Sequence, residues 1–185
     1  MSFDARQFQL EMLKSLVEVG VDSYKENVRI NSLLEDKAQK TAGLAGVFLA
    51  AALAFMKVDT LSVWPFNRLR ILIPLSLAIV LLVCCVGFCL AVMWVRRLPG
   101  LPLFSSLNKL KTDLWTIEST ALEAYEQGYW GDRAMLWQQV VTAQSPVITS
   151  KARWLLIAQI ALASAMFVVA ILLLFLIEPI VSSHL

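Results

Sequence analysis

The sequence is poor in charge and poorer still in groups that carry out chemistry. Charged residues fill 16% of its 185 positions and apolar residues 58%, whereas a soluble domain has roughly 25% charged and about 45–50% apolar. That much apolar side chain exceeds what a soluble core of this length buries, so lipid is expected as the second solvent. The net charge of +2 is too small to point to a nucleic-acid partner. The single histidine, His184, is the penultimate residue, and no Ser/His/Asp or Cys/His set can be built around it. A glycine-rich phosphate loop is missing as well, because Gly43 and Gly46 lie in an apolar stretch with no Lys-Ser/Thr after them. Glu118, Glu123 and Glu126 read as members of solvated helix faces. No catalytic residue, metal site or cofactor is expected, and the chain does not read as an enzyme.

The three cysteines, Cys84, Cys85 and Cys89, all lie within one apolar run with no His, Asp or Glu at ligand spacing. They read as small, polarizable hydrophobes, not as a disulfide or metal pair. Residues 1–40 mix acids and bases, unlike a cleaved signal peptide, and the apolar run that starts near Thr41 reads as a retained signal-anchor.

Three apolar runs are present. Ile71 to Val95 is 25 residues without a charge, and Leu155 to Ile177 is 23, interrupted only by Gln159 and Ser164. At about 1.5 Å per residue, either crosses a hydrocarbon core of about 30 Å. Thr41 to Met56 is only 16 residues. It reads as a third span that thins the bilayer or lets Lys40 and Lys57 snorkel, with a buried or re-entrant hairpin as the alternative.

Lys and Arg are distributed unevenly. Six precede the first run, seven lie between Arg96 and Arg153, and three (Lys57, Arg68, Arg70) lie between the first two runs. Thirteen against three predicts a multi-pass membrane protein with its N-terminus cytoplasmic and its C-terminus outside. Trp64, Trp94 and Trp154 fall near the ends of the runs, where an amphipathic ring prefers the headgroup level.

The charged segments read as helices. Leu10, Leu13, Val17, Val21, Tyr24 and Val28 recur at steps of three and four, a stripe that continues through Leu34 toward the first run, with Gly20 and Asn31 as weak points. After the breaker Leu98-Pro-Gly-Leu-Pro102, the residues Leu107, Leu110, Leu114, Ile117, Ala121 and Ala124 form a cytoplasmic seam of heptad type. That helix is predicted to end near Gly128. Another is predicted to start at Gly131-Asp132, with Ser145-Pro146 either an N-cap or a kink. The fold class expected is an all-α membrane protein, with three transmembrane helices plus N-terminal and central cytoplasmic amphipathic helices. Its parts are 1–40, a hairpin 41–95 with spans 41–56 and 71–95, a cytoplasmic segment 96–153, a third span 154–177 and a tail 178–185.

Ala42, Gly46, Ala50 and Ala54 form a small-residue stripe at spacing four, with a shorter version at Gly87 and Ala91. Small residues let membrane helices approach closely. Such a face serves either packing within the chain or contact between subunits, and the sequence leaves both open. Gln159 is expected to make an interhelical hydrogen bond.

The segment Leu33-Leu-Glu-Asp-Lys-Ala-Gln-Lys-Thr-Ala-Gly-Leu-Ala-Gly-Val47 resembles the entry to the first span in Pycsar effector proteins. The related SLATT-type membrane effectors share the general plan. Asp36, Lys37 and Ala38 carry that likeness, together with Lys151 and Ala152 before the last span. The resemblance implies an oligomeric antiphage effector that permeabilises the inner membrane on a cytoplasmic signal, with a cyclic nucleotide or a sensor protein as trigger. No cyclic-nucleotide pocket is recognisable, so the family's ligand residues are not carried over. The partners expected are the lipid bilayer and further copies of the chain. A membrane-anchored scaffold, or accessory subunit, and a constitutive channel subunit remain alternatives.

Overall fold

A computed structural model describes residues 5–57, 68–94 and 122–182, with side chains over 7–54, 71–94 and 125–174. All of it is helical, and no strand occurs among the described residues. The helices are α1 (Ala5–Lys57), α2 (Arg68–Trp94) and α3 (Leu122–Ser182). The chain divides into two compact units. Unit 1 comprises residues 1–31 and 96–149, and unit 2 comprises 32–95 and 150–185.

Helix α1 runs unbroken from the charged N-terminal segment into the first apolar run, as the uninterrupted stripe suggests. Helix α3 is a correction. It passes through Gly128, Gly131 and Pro146, where the sequence predicts an end, a new start and a cap or kink. Each glycine weakens a helix by about 1 kcal/mol relative to alanine, and a proline removes one hydrogen bond. Local propensity of that size yields to packing, which supplies most of a helix's stability in a folded protein.

In unit 1, α1 and α3 lie side by side and parallel. Gln127 donates to Gln9 (3.1 Å), Lys14 pairs with Glu126 (3.0 Å), Tyr24 meets the Trp137 ring edge-on (5.5 Å between centroids) and Asn27 donates to Gln144 (3.2 Å). From Lys14 beside Glu126 through Tyr24 beside Trp137 to Asn27 beside Gln144, position rises along both helices together, so the two helices run the same way. Leu10, Leu13, Val17, Val21 and Tyr24 are half-buried as the stripe requires, whereas Val28 is exposed. At Gly20 the two helices approach closely: a Cβ built there would stand 2.7 Å from the Trp137 Cβ.

Unit 2 is a bundle of three helices whose buried positions repeat every 3.5 residues. On α1 these are Ala38, Ala45 and Ala52; on α2 they are Leu75, Ala78, Leu82, Cys85, Cys89 and Val92. On α3 they are Lys151, Leu155, Ala158, Leu162, Ala165 and Leu172, with Ala161 buried beside them off that repeat. That period is the seam of a left-handed coiled-coil-like bundle, and the alanines and cysteines on it let the backbones approach. At one end Ala52 packs with Leu75 and Leu172. Toward the other, Trp154 stacks on Phe88 (5.5 Å, 22°). Helix α2 therefore runs antiparallel to α1 and α3.

Two of the helices are long and apolar enough to cross a membrane, the stretch Ile71–Trp94 of α2 and a stretch within Tyr125–Leu174 of α3. Their outer faces carry exposed Ile73, Leu77, Val80 and Val83 on α2, and Leu156, Ile160, Phe167 and Leu174 on α3. A seam of buried residues inside and many exposed apolar side chains outside are compatible with a helix bundle solvated by lipid.

Candidate functional site

The polar groups of the bundle stand out because they are so few. Among the described residues, the buried polar side chains are Gln144 at 0% exposure and Lys151 at 1%. Gln144 belongs to the unit 1 part of α3 and Lys151 to the unit 2 part. In unit 1, the Gln144 carboxamide accepts from Asn27 Nδ2 (3.2 Å). In unit 2, the Lys151 ammonium donates to Glu35 Oε1 (2.6 Å). Both contacts cross from α3 to α1, and no buried side-chain polar atom among the described residues lacks a hydrogen bond. Polar seam positions that are fully satisfied fix which residues may face each other, at a cost in desolvation.

The residues that carry the family resemblance separate on the structure. Ala38 is fully buried in the unit 2 core and Lys151 is buried against Glu35. Asp36 faces outward and holds Lys40 one turn on (2.7 Å), and Lys37 and Ala152 are exposed. Sequence reasoning passed over Glu35 in favour of its neighbour Asp36. Helical phase was the available signal: Glu35 lies next to Leu34 and three residues from Ala38, on the side of the seam.

The small-residue stripe does not line the core. Ala42 packs against the core cluster, but Ala50 and Ala54 are exposed, Gly46 is half-exposed and a Cβ at Gly46 would meet nothing within 4 Å. The intrachain face of α1 is instead the heptad series Ala38, Ala45, Ala52. On α2, Gly87 is likewise exposed with open space beside it, and Ala91 is half-buried. Gln159 is a further correction. It is exposed on the outer face of α3 and makes no hydrogen bond with the described residues, because its phase places it one position beyond Ala158 on the seam.

Cys85 and Cys89 are buried on the α2 seam and Cys84 points outward, all three as free thiols. Of the cytoplasmic seam, Leu107, Leu110, Leu114, Ile117 and Ala121 lie outside the described residues; Ala124 lies on α3, but its side chain does not belong to the described set. His184 and Trp64 are also outside it. Among the described residues, no three His, Cys, Asp or Glu side chains gather to hold a metal.

In unit 1, Glu126 takes a hydrogen bond and an ion pair from Lys14, whose ammonium also sits over the Trp130 ring at 5.6 Å from its centroid. The hydrogen bond from Lys14 is the main reason the Glu126 carboxyl is held below its ordinary range. Beside this contact, α1 and α3 leave an open apolar groove lined by Leu16, Val19, Trp137 and Val141.

The fold and these contacts define the class: an all-helical protein with two helices long and apolar enough to cross a membrane, and a seam that carries one buried lysine paired with a half-exposed glutamate. No protein-family model, no curated protein and no solved structure matches the chain.

Proposed function

We propose that the chain is an oligomeric inner-membrane effector that permeabilises or depolarises the membrane when a cytoplasmic signal arrives, as in antiphage defence. The observation that carries this reading is the outward position of the small-residue stripe. Gly46, Ala50 and Ala54 form a face suited to close helix–helix contact, and the chain's own core is built on other residues. In this reading a second subunit covers that face. The function is non-enzymatic, with the spans acting on the bilayer.

The proposed topology has three spans, with the N-terminus inside and the C-terminus outside. Support for the short first span comes from its packing. Ala52 sits level with Leu75 and Leu172, so residues 41–56 accompany the other two helices through unit 2. The trigger acts on the cytoplasmic parts of α1 and α3 and is either a cyclic nucleotide or a sensor protein.

A second reading, a membrane-anchored scaffold, draws on the apolar groove of unit 1, which suits an amphipathic partner helix. Inducible expression in bacteria, read as membrane potential and viability with and without cyclic nucleotides, separates the two. An effector dissipates the potential, and Gly46→Leu abolishes this while the protein still reaches the membrane. A potential unchanged under every trigger, with normal growth, sinks the effector reading and leaves the scaffold.

A further inference from the structure

Lys151 is the one buried charge among the described residues, and its environment is unlike that of the rest of the seam. The ammonium is sealed, with its side chain 2% exposed, while the Glu35 side chain that accepts from it is 41% exposed. Desolvating a charge costs several kcal/mol, and an apolar side chain of similar volume often holds such a position as well or better. Packing alone therefore gives no reason for a lysine here.

Two further observations suggest what it does. The carboxylate is reachable from outside the bundle without unpacking the core, whereas the ammonium is not. Lys151 also lies four residues before Leu155, where the charge-free run starts, beside the exposed Arg153 and Trp154. A lysine at that depth has a second place to go, because its four-carbon stem snorkels readily to anionic headgroups. The group thus has two alternative positions, one in the seam and one at the membrane surface.

We propose that the Glu35–Lys151 contact is a charge latch that holds α1 against α3 at that end of unit 2, and that loss of the Glu35 charge opens it. The latch is the regulatory element of the effector proposed above and rests on that reading for its link to the signal. With Glu35 neutral, the buried ammonium loses the charge facing it and moves toward the headgroups. The Ala38–Leu155 region of the seam then separates.

The test uses the full-length protein in vesicles of phosphatidylethanolamine and phosphatidylglycerol, with two independent readouts. Amide hydrogen exchange over residues 30–40 and 148–158 reports opening, and decay of a potassium diffusion potential reports leak. Glu35→Gln is expected to speed exchange in both segments by at least about tenfold, as befits a buried ammonium that loses its carboxylate. Lys151→Met removes the charge that needs a partner, so it exchanges no faster than the native chain. The double variant Glu35→Gln/Lys151→Met returns exchange to the native rate. Glu26→Gln, which removes an exposed carboxylate paired with Arg29 (3.6 Å), changes nothing.

Native exchange in Glu35→Gln, or equally fast exchange in Lys151→Met and the double variant, overturns the latch. Exchange that follows the expected pattern without leak in any variant supports the latch and sinks the permeabilising function instead. Exchange and leak rising together support both.

Discussion

Gly20 and Trp137 meet so closely that a methyl group on Gly20 would stand 2.7 Å from the Trp137 Cβ and 3.2 Å from its Cγ. Because the nearer atom is next to the Trp137 backbone, the clash is not relieved by swinging the ring alone. Gly20→Ala gains about 1 kcal/mol of helix propensity but forces the two helices apart, an overpacking penalty of about 1–3 kcal/mol. The penalty is expected to win. Thermal unfolding in detergent checks the sign: Gly20→Ala melts lower, while Gly128→Ala and Gly131→Ala, which meet open space, melt higher, each stabilised by about 0.4–1 kcal/mol. A stabilised Gly20→Ala would mean that α1 and α3 do not approach at this point.

The two faces of α1 should respond differently to bulk. Ala45 is fully buried, so Ala45→Leu is expected to destabilise the monomer by about 1–3 kcal/mol. Ala50 is exposed, so Ala50→Leu should leave the monomer's stability within about 0.5 kcal/mol of native. The same substitution should nonetheless reduce assembly, read by cross-linking in membranes. Equal effects of the two on stability would place the stripe inside the bundle after all.

Asn27 and Gln144 are expected to be energetically coupled. Asn27→Ala removes a hydrogen bond to a carboxamide that is fully buried, a loss of about 1 kcal/mol. In a double-mutant cycle with Gln144→Leu, the coupling should be of similar size. A cycle that closes to zero would show that the contact contributes nothing.

The Lys14–Glu126 pair makes a prediction about pH. The Glu126 carboxyl is held below its usual value in the folded protein, chiefly by the hydrogen bond from Lys14. The unfolded chain therefore binds a proton first as pH falls. The pair's contribution is complete above the unfolded glutamate value of about 4.3 and is lost as pH drops through the lower folded value. Unfolding followed from pH 6 to pH 3 should show a smaller acid destabilisation in Glu126→Gln than in the native chain. The difference should shrink in high salt, since the pair is exposed.

The sequence revealed most where period is the signal. The stripe from Leu10 to Tyr24 and the long apolar runs of α2 and α3 announce helices by spacing and length alone. Continuity was harder to read. Gly128, Gly131 and Pro146 are legitimate breakers locally, and only packing against α1 carries α3 through them. Residue pairs more than a hundred positions apart, such as Glu35 with Lys151, leave no trace in any local window. Phase carries further information. Counting heptads from Ala38 places Ala50 and Ala54 outside, which decides between the two uses left open for that stripe, and counting from Leu155 turns Gln159 outward.

A seam built on a seven-residue repeat resembles a ruler whose every mark looks alike. Sliding α1 along α3 by one repeat brings another apolar residue opposite each apolar partner, so the hydrophobic contacts barely distinguish the two alignments. Lys151 makes them unequal. One repeat along from Glu35 is Ala42, and an ammonium buried opposite a methyl group is penalised by several kcal/mol. The pair acts as a tooth in an otherwise smooth track. During folding or assembly, it rejects every slipped alignment that the apolar residues would accept.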